Sequence, residues 1–202
     1  MITIVDYKVG NLGSIQNMLK KIGATCEITS DPEILKSAKK IILPGVGAFD
    51  SGIESLKKYN LLEVLNDKAL KERVPILGIC LGSQLLCNTS EEGKLKGLGW
   101  INANVKRFNL TDKKYKVPHI GWNYTHLQKR SNLFKNMYED PKFYFVHSFY
   151  MDVEDNSGLT KTQYGINFDS AVEKDNILGV QFHPEKSHKF GMKLLENFVL
   201  EY

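Results

Sequence analysis

The sequence predicts an α/β fold: an open, mostly parallel sheet flanked by helices, with additional antiparallel strands in the second half. Three observations predict it. In the first half, short apolar runs alternate with segments of helical spacing, the pattern of a parallel sheet with helices on both faces. From about Trp100 to Ala171 the chain reads instead as short strands and turns. No repeat, low-complexity tract or linker divides it, so residues 1–202 are expected to form a single domain.

The elements follow in order. Ile2–Val5 reads as a strand. Ile15, Met18, Leu19 and Ile22 then keep helical spacing, and Gly23 stops that helix. Ala24–Thr29 is a second strand. Asp31-Pro32 opens a short helix, with Asp as N-cap and Pro in the first turn. Ile41–Leu43 is a third strand ending at Pro44-Gly45-Val46-Gly47. Helical stretches follow at Gly52–Lys58 and Leu61–Glu72, before a strand that runs to Cys80. Near the end, Ile177–Phe182 is a strand, and a last helix carrying Met192, Leu194, Leu195, Phe198 and Val199 covers one face. Ligands of such sheets bind beyond the carboxyl ends of the strands, where both Pro44-Gly45-Val46-Gly47 and Cys80 fall.

Composition narrows the class. A chain of 202 residues can bury a substantial core. The net charge is only +4 and the lysines are scattered, which gives little footing for nucleic acid. No apolar run approaches the roughly 20 residues of a membrane span. Met1-Ile2-Thr3-Ile4-Val5-Asp6 opens directly as a strand, without the basic region of a signal peptide. Three cysteines, Cys26, Cys80 and Cys87, are an odd set suited to a reducing compartment, so a cytoplasmic location is expected. The glycosylation-type triplets at Asn88, Asn109 and Asn123 then carry no meaning. His119, His126, His147 and His188 show no ligand spacing, so neither a metal nor a cofactor is expected. Glu91-Glu92 reads as a solvated loop, and Cys87 as a packing residue.

The chemistry is written in Val74-Pro75-Ile76-Leu77-Gly78-Ile79-Cys80-Leu81-Gly82-Ser83-Gln84-Leu85-Leu86. An apolar strand ends in a Gly-x-nucleophile-x-Gly turn and passes into a helix. Such a turn lifts the thiol off the sheet edge to a helix N-terminus, where unpaired N–H groups favour the thiolate. An isolated cysteine is more often a core residue; the flanking glycines and the strand-to-helix switch argue for a nucleophile. A second motif, His183-Pro184-Glu185, follows the strand Ile177–Phe182. Pro184 biases His183 toward extended backbone, where alternate side chains share a side. His183 and Glu185 then meet as base and orienting carboxylate, completing a Cys80–His183–Glu185 triad. The N–H of Leu81, next to the nucleophile, is the natural first donor to an oxyanion. Gln84 lies one helical turn beyond Cys80 and faces the same site.

These two motifs resemble the class I glutamine amidotransferases. Further motifs narrow the likeness: Asp6-Tyr7 with Gly10-Asn11-Leu12, Leu43-Pro44-Gly45-Val46-Gly47-Ala48-Phe49, Gly121-Trp122-Asn123, Tyr144-Phe145-Val146-His147-Ser148 and His183-Pro184-Glu185-Lys186-Ser187. In this order, and over nearly the whole chain, they resemble the glutaminase subunits of imidazole glycerol phosphate synthase. Three positions depart from that pattern: Lys8 where a small residue is usual, Ser83 where methionine is usual, and His188 where a small polar residue is common. None of the three belongs to the triad.

The resemblance implies hydrolysis of L-glutamine to glutamate and ammonia through a thioester on Cys80. It implies a second oxyanion donor from the backbone at Val46 or Gly47. It assigns Gln84, with backbone at Ser148 and Phe149, to the amino-acid end of the substrate. It implies a (β/α)8-barrel cyclase subunit as heterodimer partner in histidine biosynthesis, facing Asn11, Trp122, Tyr144 and Lys186. It also implies that glutamine turnover is coupled to that partner, with one amide of Pro44-Gly45-Val46-Gly47 misplaced at rest. Three alternatives stay open: a paralogue feeding ammonia to a system that amidates a surface sugar, a non-catalytic regulatory subunit, and a cysteine peptidase-like hydrolase. Peptidases on similar sheets usually place the catalytic His directly after the nucleophile, where this chain has Leu81.

Overall fold

The computed structural model describes residues 1–202. The strands are β1 (Ile2–Val5), β2 (Cys26–Thr29), β3 (Ile41–Leu43), β4 (Ile76–Ile79), β5 (Thr89–Ser90), β6 (Ala103–Arg107) and β7 (His119–Tyr124), then β8 (His126–Leu127), β9 (Lys142–His147), β10 (Phe149–Val153), β11 (Gly158–Tyr164), β12 (Ile166–Lys174) and β13 (Ile177–Val180). The helices are α1 (Leu12–Lys21), α2 (Pro32–Lys36), α3 (Phe49–Lys58), α4 (Leu61–Asn66), α5 (Leu81–Leu85) and α6 (His188–Glu201).

An 11-stranded sheet runs in the order β2-β1-β3-β4-β13-β12-β10-β6-β5, with β11 added beside β12 and β8 beside β11. Its first five strands are parallel, and β12, β10 and β6 continue it antiparallel. A separate antiparallel pair, β7 and β9, sets Trp122 opposite Tyr144. The mostly parallel sheet with a later antiparallel part is the architecture expected from the sequence.

β1, β3, β4 and β13 are buried along their whole length, because helices cover both faces. Successive side chains alternate between two cores. Ile41, Leu43 and Ile76 join Phe49, Ile53, Leu56 and Leu65 on one face. Ile42, Leu77 and Leu178 join Ile15, Leu19, Leu194, Leu195 and Phe198 on the other. Each such large side chain contributes about 1.5–3 kcal/mol when fully buried.

Helix boundaries follow local chemistry. Asp31 caps α2 by accepting from Glu33 N at 2.8 Å, with Pro32 in the first turn. Asn11 caps α1 by accepting from Ser14 N at 3.4 Å. β2 starts at Cys26 rather than Ala24, because Ala24 N still donates to Leu19 O at 2.9 Å and closes α1. The expected helix Leu61–Glu72 is α4 followed by a π-turn at Asp67–Lys71. β13 ends at Val180 rather than Phe182, alongside its neighbour β4, which ends one residue before Cys80.

Candidate active site

The two halves of the expected triad come from adjacent parallel strands. β4 and β13 pair with Ile79 opposite Val180, and Cys80 N donates to Val180 O at 2.8 Å. Cys80 and His183 therefore leave the same carboxyl edge side by side. Cys80 itself takes the strained backbone of the turn, at φ 54° and ψ −111°. The flanking glycines serve close approach: a Cβ on Gly82 would sit 1.8 Å from Leu43 O, and one on Gly78 would sit 2.7 Å from Gly82 O.

His183 and Glu185 meet, but by a different route from the extended one expected. Pro184–Lys186 forms a short 3-10 turn, with Pro184 opening it. That turn brings Glu185 back over its neighbour, and His183 Nδ1 donates to Glu185 Oε1 at 2.7 Å. Both side chains are almost wholly buried, and His183 Nε2 is left without a hydrogen-bond partner. Burial alone would lower the imidazole pKa; Cys80 and Glu185 outweigh it and push the value up to about 9. Backbone bonds fix the base as well: His183 N donates to Tyr144 O at 2.9 Å, and Tyr144 N donates to Ser187 Oγ at 3.0 Å.

A cavity of about 490 Å3 opens over Cys80, lined among others by Val46, Gly47, Leu81, Gln84, Ser148 and Phe149. Leu81 and Gln84 are expected there from their places after Cys80, and Val46, Gly47, Ser148 and Phe149 from the family resemblance. Glu92, expected in a solvated loop, lines the cavity too, and its Oε2 accepts from Phe49 N at 2.9 Å, at the start of α3. Gln181, which the sequence reading did not single out, is fully buried between the nucleophile and Gln84. Its Nε2 donates to Cys80 Sγ at 3.9 Å, and its Oε1 accepts from Gln84 Nε2 at 3.0 Å. Its place directly beyond β13, two residues before His183, was the available signal. Gln84 Nε2 also donates to Phe149 O at 3.1 Å. The Phe149 carbonyl thus holds Gln84, and Phe149 also lines the cavity.

The expected oxyanion donors are not assembled in this geometry. Leu81 N donates to Gly45 O at 3.2 Å, so the carbonyl of the Pro44–Gly47 loop occupies the first donor. The buried Tyr7 hydroxyl donates to Pro44 O and restrains that loop, and burial with Cys80 nearby pushes its pKa far above the ordinary range.

Trp122, Tyr124 and Ile120 project from the outer side of β7, so Trp122 is exposed rather than core. Tyr144 lies opposite Trp122, with Lys186 Nζ 5.7 Å from its ring centre. His188 stacks on Trp122 with ring centres 5.2 Å apart. Asn11 is exposed at the start of α1. Lys8 and His188, two of the departures, both take left-handed backbone, with φ 65° and 46°. Asp6 steadies the first by accepting from Lys8 N at 3.0 Å and pairing with its ammonium at 2.6 Å. A small residue suits both positions for that reason. Ser83 is buried, and its hydroxyl donates to Cys80 O at 2.7 Å. Cys87 is buried in the core, and burial pushes its thiol pKa up, away from reactivity.

Residues 3–202 match the family model of class-I glutamine amidotransferases. A protein of Methanococcus maripaludis, imidazole glycerol phosphate synthase subunit HisH 2, is 56% identical over 98% of both chains. Its namesake in Pseudomonas aeruginosa is 48% identical over 98% of both. A subunit HisH of Leptospira interrogans is 46% identical over 98% of this chain and 99% of its own. Among solved structures, a glutamine amidotransferase shares the fold with TM-score 0.75 at 16% identity, over 98% of this chain and 99% of that one. The PurLQS structure from Thermotoga maritima does so with TM-score 0.73 at 18% identity, over 98% and 96%. The chain belongs to the class-I glutamine amidotransferases and, among them, to the glutaminase subunits of imidazole glycerol phosphate synthase.

Proposed function

We propose that this chain is a single glutamine amidotransferase domain that hydrolyses L-glutamine and hands the ammonia to a (β/α)8-barrel cyclase in histidine biosynthesis, in the cytoplasm. The observation that carries the chemistry is the Cys80 turn beside the His183–Glu185 pair, facing a cavity of about 490 Å3. The pathway and partner rest on the relatives' shared description as a subunit of imidazole glycerol phosphate synthase. No helix is long and apolar enough to cross a membrane.

Cys80 Sγ attacks the amide carbon of glutamine as the thiolate, its proton already resting on His183 Nε2. The C–N bond then breaks, and His183 returns that proton to the departing nitrogen, which leaves as ammonia. Water attacks the thioester while His183 Nε2 takes a proton from it. The C–S bond breaks, glutamate leaves, and the Cys80 thiolate beside protonated His183 is restored. Glu185 holds the imidazole by Nδ1 and supports its charged form. The Glu92 carboxylate at the cavity suits the substrate's α-ammonium, and Gln84 keeps its Oε1 free to accept from the same group. Asn11, Trp122, Tyr144 and Lys186 form the face for the barrel.

The test is release of glutamate and ammonia from glutamine, with and without the cyclase. Cys80→Ala should abolish that release while the complex still runs on added ammonium. Glutamine turnover by the Ala variant at the wild-type rate would overturn the assignment of the nucleophile. His188 against Trp122 alters the docking face and favours a second reading, a paralogue with another acceptor; failure to reconstitute synthesis with the histidine-pathway cyclase would support it.

A further inference from the structure

A hydrogen-bonded line runs inward from the exposed β7–β9 pair, and the steps above leave its outer half without a task. It starts at Asn123, next to Trp122. Asn123 Oδ1 accepts from Tyr124 N at 2.8 Å, and Nδ2 donates to Gln163 O at 2.9 Å and lies 3.3 Å from His119 Nε2. His119 Nδ1 lies 3.0 Å from His147 Nε2. His147 Nδ1 lies 2.7 Å from Phe149 O, the same carbonyl that accepts from Gln84. Gln84 bonds Gln181, and Gln181 bonds Cys80 Sγ.

One arrangement of protons satisfies every contact. Phe149 O only accepts, so His147 Nδ1 carries a hydrogen. His147 Nε2 then accepts, which puts the His119 hydrogen on Nδ1. His119 Nε2 accepts from Asn123, whose orientation is fixed by its bonds to Tyr124 and Gln163. A second proton on either ring would set two donors against each other. Burial agrees, holding the pKa of His119 at about 4 and that of His147 at about 3. The His119 ring is clamped between Tyr164 and Phe145, with centres 3.9 and 4.8 Å away.

We propose that Asn123, His119 and His147 are positioning residues of the glutamine site, a neutral chain that fixes the Phe149 carbonyl, and through it Gln84, relative to the strand that carries Trp122. The inference rests on the glutamine-hydrolysing reading of the cavity. Gln84 Nε2 serves two acceptors, Phe149 O and Gln181 Oε1. Without His147 the Phe149 carbonyl loses its second donor, and Gln84 loses the fixed end of its bridge. The line also links the proposed docking strand to the substrate pocket through side chains and one main-chain carbonyl, that of Phe149.

The test is steady-state kinetics of the complex with the cyclase, on glutamine and separately on ammonium. His147→Leu removes both bonds and should raise KM for glutamine about tenfold, the scale of one broken buried hydrogen bond, with kcat changed much less. His147→Asn keeps a donor near the Nδ1 position and should recover part of that loss. His119→Phe keeps the ring stack without the bonds and should fall between. Ammonium-driven turnover should stay unchanged in all three. Nitrogen-15 spectra of the wild type at neutral pH should show both rings neutral and protonated on Nδ1. Unchanged KM in folded His147→Leu and His119→Phe, an equal loss of ammonium-driven turnover, or Nε2-protonated rings would each overturn the proposal. A wild-type complex without glutaminase activity would overturn the reading of the cavity and this proposal with it.

Discussion

His183 presents two nitrogens in opposite circumstances: Nδ1 is bound to Glu185, while Nε2 is buried without a partner on the side where the proton must come and go. Glu185→Gln keeps a hydrogen bond but removes the charge that favours imidazolium, so it should lower turnover less than His183→Ala does. Combining Cys80→Ala with His183→Ala should add little to either alone, because members of one catalytic unit are non-additive. The imidazole pKa of about 9, against an ordinary 6.5, sets two pH effects. Glutaminase kcat/KM should fall above about pH 9, as the proton needed by the leaving nitrogen is lost. The folded chain also holds this proton more tightly than the unfolded one. Its stabilisation is complete below pH 6.5 and fades as pH rises through about 9. The Tm of the wild type should drop over that interval relative to His183→Ala. At this scale the sequence was informative because Gly78, Cys80 and Gly82 fall at alternate positions of one turn. Glu92 was hidden because its role depends on the start of α3, more than forty residues away in the chain.

At the scale of elements, the proposed mechanism makes the Pro44–Gly47 loop decide whether an oxyanion can be held. Gly45 O now occupies the Leu81 N–H. Rotating that peptide would free Leu81 and turn the Val46 N–H toward the cavity. Supplying one such donor is worth about 100- to 1,000-fold in turnover. Glutamine hydrolysis by the complex with its acceptor substrate bound should exceed that of the isolated chain by that order; equal rates would remove the loop from the account of activation. The alternation of strands and helices made the loop's position legible, since Ile41–Leu43 had to end at the carboxyl edge. The orientation of a single peptide was not legible, because glycine flanks permit both. Pro184 shows the same limit: the rule that the residue before proline is extended held for His183, yet the chain turned straight after it.

Across the whole molecule, the buried His119–His147 contact lies within the β7–β9 pair, and bonds from His147 Nδ1 to Phe149 O on β10 and from Asn123 Nδ2 to Gln163 O on β11 tie that pair to the large sheet; no spacing in the sequence announces these contacts. An unfolded chain takes up protons at both rings near pH 6.5, whereas the folded one keeps them neutral to about 4 and about 3. The stability that depends on neutral rings is therefore whole above pH 6.5 and lost as pH falls toward 4. The nearby His183 is charged at these pH values and adds to the penalty on His147. Thermal melts should show a steep drop in Tm between pH 6.5 and 4, and His119→Phe with His147→Leu should flatten it. The overall architecture was readable because hydrophobic runs and breakers are local signals. The union of the two sheets was not, since it depends on polar groups brought together from separate strands.

The backbone of Cys80, at φ 54° and ψ −111°, implies a conflict between durability and activity. Such a conformation costs a residue with a side chain about 1–3 kcal/mol, and the rest of the fold must impose it. Glycine adopts it freely. Cys80→Gly should therefore melt above Cys80→Ala, reversing the usual disadvantage of glycine of about 0.5–1 kcal/mol. A lower Tm for the Gly variant would mean that the turn is relaxed. If the order holds, mutation toward a sturdier protein at this position leads straight to an inert one, and selection for glutamine turnover is what keeps the less durable sequence.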